Sequence, residues 1–205
     1  FTPLRPAREV KEFVAKHYDP GERIVLFVGR ASDETGAHVL IESCRHLRTK
    51  CKIVVITAGP LLDEIKSQAA EFGGRVEVIP GLPYDQTRVY YARASVVVIP
   101  SVWLVNFCLV GRETFANMKP VIGSRIGGIQ DWMKDGETGW FFEPGNPKDL
   151  AAKIDLAFKN ADRLKEMGEA AYRRVQTHYN QELYTGRLLE IYEKGMRIFR
   201  EGAHA

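Results

Sequence analysis

ASVVVIPSVWLVNFCLVGRETF, residues Ala94–Phe115, passes from one kind of regular structure to another without a linker. Val96–Ile99 is an unbroken run of β-branched apolar residues. Such a strand has no polar face, so both sides of its sheet are covered. Pro100 and Ser101 end the run, a short aromatic loop follows, and from Leu109 to Asn117 the apolar positions fall at helical spacing. A strand that hands over directly to a helix is half of a βαβ unit. Its surroundings decide whether the unit repeats.

It repeats in both directions. Upstream, Arg23–Val28, Lys52–Ile56 and Val76–Ile79 are buried strands, separated by helices over Gly36–Leu47, Leu61–Phe72 and Tyr84–Ala94. His38, Leu40, Ile41, Cys44 and Leu47 give the first of these helices an apolar face. Downstream come a short strand at Val121-Ile122, a helix over Ile129–Lys134 and a strand over Gly139–Phe142. From Lys148 the chain is helical, interrupted near Asn160 and near Asn180. Strand, helix, strand repeated five or six times requires parallel pairing with right-handed crossovers. The sequence therefore predicts an α/β fold with a doubly wound, Rossmann-like parallel sheet, and one domain after Arg23.

Bulk properties narrow the function. At 205 residues the chain buries roughly 70 % of its unfolded surface. A net charge of +3, spread along the chain, falls short of a nucleic-acid signature. Cys44, Cys51 and Cys108 are odd in number and sit in apolar contexts, which predicts reduced, buried thiols in a cytoplasmic protein. The five histidines are scattered without ligand spacing, so no metal site is expected. No apolar run approaches the ~20 residues of a membrane span. The chain opens on Phe1 rather than Met and reads as a piece of a longer protein.

Open parallel sheets bind ligands beyond the carboxyl ends of their strands. Here those exits are Gly29-Arg30, Thr57–Pro60, Pro80-Gly81, Pro100-Ser101 and Gly123-Ser124, the last followed by Gly127-Gly128. Small residues at every exit either terminate strands or let the backbone approach a ligand with its N–H groups free. Neither GxGxxG nor GxxxxGK[ST] is present, so nicotinamide and P-loop assignments lack their fingerprint. Arg30 and the amides of the helix beginning near Cys108 form a phosphate-type anion site. Glu113 is either a dipole-stabilising acid in the first turn of that helix or the acceptor of two hydroxyls, as from a ribose diol.

Four stretches occur in the order of one known family: FVGRASDETGAHVLIES (27–43), GLPYDQTRVYYARASVVVIPS (81–101), the opening stretch with Glu113, and PVIGSRIGGIQDWMKDGETGWFFEPGNPKDLA (120–151). Over about residues 20 to 195 the chain resembles the C-terminal, donor-binding half of retaining GT-B glycosyltransferases of the large family 4. The resemblance implies binding of a UDP-, GDP- or ADP-sugar and transfer of its sugar to a hydroxyl, with no cofactor or metal. It places Arg30 at the diphosphate as the catalytic residue and the backbone of Leu82 at the base. The amides of Phe107, Cys108, Leu109 and Val110 fall at the phosphates and Glu113 at the ribose, with Gly29, Thr35, Ser101 and Val105 also among the nucleotide-sugar-binding positions. Residues 1–19 correspond to the interdomain linker and first helix, and residues 20–205 to a single nucleotide-sugar-binding domain with C-terminal helices.

Two positions depart from the family pattern. Val105 stands where the family has a first glutamate that reads the donor sugar. Thr35 stands where it has a lysine that neutralises diphosphate, and offers only a hydroxyl. Charged-group hydrogen bonds are worth ~1.5–3 kcal/mol each, so the two losses together weaken donor binding by roughly two to four decades. Arg125 is a candidate replacement for the lost charge. The acceptor site belongs to an N-terminal half that this chain lacks, and any peripheral membrane contact is left to that half. The isolated chain is expected to transfer nothing. Alternatively, the lost side chains leave a catalytically impaired binding or scaffold module. The final amphipathic helix, LYTGRLLEIYEKGMRIFREG, either caps this domain or packs across the missing half; an exposed apolar face would favour the second.

Overall fold

A computed structural model describes residues 21–202 of the chain. The linker and first helix expected over residues 1–19 lie outside the described residues. Six strands, β1 (Ile24–Arg30), β2 (Lys52–Ala58), β3 (Val76–Pro80), β4 (Val96–Ile99), β5 (Val121–Ser124) and β6 (Gly139–Phe142), form one parallel sheet in the order β3-β2-β1-β4-β5-β6. The connecting helices are α1 (Ala37–Ser43), α2 (Leu62–Ala70), α3 (Tyr84–Arg93), α4 (Leu109–Ala116) and the single turn α5 (Ile129–Trp132). Three more follow the sheet: α6 (Pro147–Lys159), α7 (Ala161–His178) and α8 (Gln181–Gly202). The doubly wound fold expected from the alternation of elements is the fold observed.

Alternation along β1 shows how the two faces are filled. Val25 and Phe27 pack into a cluster with Leu40, Ile65 and Ile154 from α1, α2 and α6. Ile24 and Leu26 point the other way, toward Tyr91 of α3. Beside that second cluster, Phe115, Trp132, Ala171 and Val175 build a third from α4, α5 and α7. Phe115 and Trp132 meet edge to face, 5.2 Å between centroids, and both are buried. The helix after β1 thus lies on one face and the helix after β4 on the other. Since β1 and β4 are neighbours, the crevice between their carboxyl ends is the topological switch point, where open α/β sheets take their ligands.

Boundaries moved by a few residues. β1 and β2 run on to Arg30 and Ala58 because their register continues that far, from Ile24↔Lys52 to Arg30↔Ala58. The helix expected over Gly36–Leu47 ends at Ser43, and the one over Ile129–Lys134 is one turn. α6 opens as its sequence demands: Pro147 sits in the first turn, and the Asn146 side chain accepts the N–H groups of Lys148 and Asp149 at 3.1 Å. Among the described residues, no helix is long and apolar enough to cross a membrane.

Candidate nucleotide site at the switch point

β1 ends at Arg30 and the chain turns through a short 3₁₀ segment, Asp33–Thr35, into α1. Gly36 makes this turn with φ 73°, and a Cβ there would collide with the Pro100 carbonyl oxygen. Next to it, the Val102 N–H donates to the Glu34 carbonyl at 3.0 Å. The β1 and β4 exits are therefore laid directly against each other. On one side Gly59, at φ 145°, presses on the Ala31 backbone, whose N–H donates to the Ala58 carbonyl at 2.8 Å. On the other, Gly127 and Gly128 rest on the backbone of Val105 and Asn106, and the Gly128 N–H donates to the Val105 carbonyl at 2.8 Å. Gly36, Gly59, Gly127 and Gly128 thus allow loops to cross at backbone distance rather than standing open to a ligand.

That geometry places each predicted residue. Arg30 is exposed at the tip of β1, the central position of the edge, and Gly29 precedes it over the Phe27 ring. The Thr35 hydroxyl does not offer itself to a ligand: it is directed at the carbonyls of Arg30 (2.6 Å) and Ser32 (2.9 Å), pinning the turn that carries Arg30. Thr35→Val is accordingly expected to cost about 1 kcal/mol of stability, read from denaturant unfolding. Ser101 is buried at the β4 exit. Val105 is half-buried against the Ile129 and Trp132 cluster, docked beneath the paired glycines. Leu82 and Val110 flank one and the same apolar cluster, which brings the β3 exit beside the start of α4.

Phe107 closes this loop. Its ring lies 4.2 Å beneath the Arg112 guanidinium and edge-on to Tyr179, 5.6 Å between centroids. Cys108, the N-cap of α4, holds φ 56°, a left-handed conformation unusual for a side chain with a Cβ. It is half-buried, not fully buried like Cys44 and Cys51. Burial pushes its thiol up, and the amides of Gly111 and Val110 act against that. Leu109 is exposed. The N–H groups of Phe107, Cys108, Leu109 and Val110 meet no backbone acceptor among the described residues. They stand at the positive end of the helix start, left without an intrahelical partner, with the Val110 amide turned toward the Cys108 thiol.

Glu113 corrects the dipole reading. It is the fifth residue of α4, so it lies in the second turn, and no acid stands in the first. Its Oε2 accepts a hydrogen bond from the Tyr91 hydroxyl at 3.0 Å, and Tyr91 is wholly buried. Oε1 has no partner among the described residues. Burial raises the Glu113 pKa above the ordinary carboxylate value, with the Tyr91 hydrogen bond and the Arg112 charge pulling the other way. A fixed, half-desolvated carboxylate with one oxygen to spare is a hydroxyl acceptor. Sequence reasoning missed Tyr91 and Arg112. Tyr91 reads as one more apolar position of α3, and only the fold carries it to α4.

Arg125, the candidate for the lost charge, already has an acidic partner. Its guanidinium is paired with Asp135 at 3.1 Å and stacked 4.5 Å over Phe141. No group of His, Cys, Asp and Glu among the described residues could hold a metal ion. The edge therefore presents backbone donors, the exposed Arg30 guanidinium and the Glu113 acceptor carboxylate, chemistry suited to a phosphate-bearing polyhydroxy ligand.

Residues 9–174 match the family described as Glycosyl transferases group 1. The chain belongs to that family, and its fold is that of the C-terminal domain of GT-B glycosyltransferases. It is 31 % identical over 161 residues to the D-inositol 3-phosphate glycosyltransferase of Nocardia farcinica, covering 73 % of this chain and 36 % of that protein. Among solved structures, Anabaena Alr3699/HepE in complex with UDP superposes with a TM-score of 0.83 at 17 % identity, over 93 % of this chain and 54 % of that one. Sucrose-phosphate synthase from Thermosynechococcus elongatus gives 0.84 at 24 % identity, over 96 % and 50 %. The chain spans about half, or less, of the length of the curated relatives it matches.

Proposed function

We propose that this chain is the donor-binding half of a retaining, family 4 glycosyltransferase that moves a sugar from a nucleoside diphosphate to a hydroxyl acceptor. One observation carries the proposal: at the switch point, Glu113 is held by Tyr91 through one oxygen while the other has no partner among the described residues, a turn away from the amides that open α4. Glu113 takes the ribose diol, the amides from Phe107 to Val110 take phosphate, the Leu82 backbone faces the base, and Arg30 meets the diphosphate. As the sugar departs, negative charge grows on the diphosphate; Arg30 and the helix amides stabilise it electrostatically without a metal. Complexes of Alr3699/HepE with UDP and with UDP-glucose support a sugar nucleotide as ligand. The acceptor site belongs to a further, N-terminal half. The apolar face of α8, with Leu189, Tyr192 and Phe199 all exposed, supports a helix that this half would cover.

A second reading, a catalytically impaired binding module, is favoured by the packing of Val105 and the inward turn of the Thr35 hydroxyl, which leave two family roles unfilled. Calorimetric titration with UDP, GDP and ADP, followed by their sugars, separates the two. A sugar nucleotide held more tightly than its bare diphosphate supports the transferase; binding of none of them supports the scaffold.

The Tyr91 contact gives a further check. Tyr91→Phe keeps the ring but removes a hydrogen bond to a charged acceptor, so nucleotide affinity is expected to fall about tenfold. Binding requires the carboxylate, whose pKa is already raised by burial. Affinity should therefore decline as pH falls toward acid, with a midpoint above the ordinary value of 4.5. In Tyr91→Phe that midpoint moves higher still, because the hydrogen bond favouring the charged form is gone. Affinity measured against pH for both proteins decides it.

A further inference from the structure

The opposite end of the sheet carries the larger concentration of positive charge. α1 is followed by CRHLRTKC (44–51), which returns the chain to β2 at the amino ends of the strands. Around it lie two adjoining open clefts of about 790 Å³ and 640 Å³ that share Arg48 and Thr49. Arg23, Lys50 and Arg75 line the first, Lys148 and Lys159 the second; the acids of the two are Glu22 and Asp155.

Neighbouring acids do not cancel this charge. Arg45 is tied to Glu42 and Glu71, and Lys52 to Glu77 at 2.6 Å, so those pairs are closed. Arg48, Lys50 and Lys159 form no ion pair among the described residues. Arg75 is half-buried, its guanidinium held by the carbonyls of Thr49 (2.8 Å) and Cys44 (3.3 Å). Carbonyls orient a guanidinium while leaving its net charge in place. The Asp155 carboxylate accepts the backbone N–H groups of Thr49 (2.8 Å) and Arg48 (3.2 Å), which clamps the loop from the α6 side. The loop is thus fixed from both flanks before any ligand arrives, which lowers the ordering cost of binding.

We propose that this paired cleft is a second anion site, remote from the nucleotide site, for a small ligand carrying two or more linked phosphate groups. Several cations spread over two adjoining recesses exceed what one phosphate would neutralise. Their concave setting suits a compact polyanion better than a flat bilayer.

Amide NMR of the chain, titrated at low salt with inorganic tripolyphosphate, tests the proposal. Saturable shifts are expected at Thr49, Lys50, Gly74 and Arg75, and orthophosphate should bind more weakly. Arg48→Gln with Lys50→Gln removes two exposed cations and should weaken binding about tenfold. Should the double variant melt early, Arg48→Gln alone serves, with a smaller loss expected. Shifts confined to Arg30 and the amides of 107–110, no shifts at all, or unchanged affinity in a folded variant would each overturn the site. Co-sedimentation with phosphatidylglycerol vesicles while tripolyphosphate leaves these amides unmoved would overturn it in favour of a membrane surface.

Discussion

Replacing Glu113 with alanine is expected to weaken UDP binding by roughly two to four decades, since two hydrogen bonds to a charged acceptor, at ~1.5–3 kcal/mol each, disappear together. The 2′-deoxy analogue identifies which atoms are involved. The native chain should bind it about tenfold or more less tightly than UDP, and Glu113→Ala should bind the two alike. Loss of affinity with the preference for UDP intact would show that Glu113 acts elsewhere. Stability should move the other way. Because burial raises the Glu113 pKa, its protonated form is the one the fold favours. The stability this group contributes is full below the ordinary pKa and is lost as pH rises through the folded one. Glu113→Gln, which can still accept from Tyr91 and carries no charge, is therefore expected to melt higher at neutral pH while binding nucleotide poorly.

Gly36→Ala is expected to cost about 3 kcal/mol or more. The substitution places a Cβ at φ 73°, worth about 1 kcal/mol or more by itself, and drives it into the Pro100 carbonyl. Backbone cannot swing aside as a side chain can, so the β1 and β4 exits must separate. UDP affinity should then fall alongside the denaturation midpoint, because Arg30 and the start of α4 ride on those two exits. Gly186→Ala in α8 is the control: among the described residues no neighbouring atom lies within 4 Å of the added methyl, and alanine is the better helix former by about 1 kcal/mol. Equal losses at the two positions would count against the interlocked exits as the cause.

The layered fold was legible because its strands are continuous runs such as Val96–Ile99, which nothing but a sheet covered on both faces accommodates. Strand ends were less so. Whether β1 stops at Val28 or Arg30 depends on its pairing with β2, a relation between residues far apart in the chain. Glu113 could be singled out from its place after β4, yet its environment could not. Tyr91 sits twenty-two positions upstream, and only the packing of α3 and α4 on the same face brings hydroxyl and carboxylate within 3.0 Å. The exit glycines were visible as small residues, but spacing does not say what approaches them, and here it is neighbouring main chain. Thr35 was similarly visible as a hydroxyl, while the carbonyls that hold it are fixed only by the turn.

The crossings of Gly59 on Ala31, Gly36 on Pro100 and Gly128 on Asn106 have a bearing on engineering. Grafting one of these connections from a relative, or inserting a single residue before Gly36, shifts the glycine off its partner and puts a bulkier residue at the contact. A change of ligand preference in this scaffold must therefore come either from side-chain swaps such as those at 82 and 105, or from transplanting the whole rim as one piece.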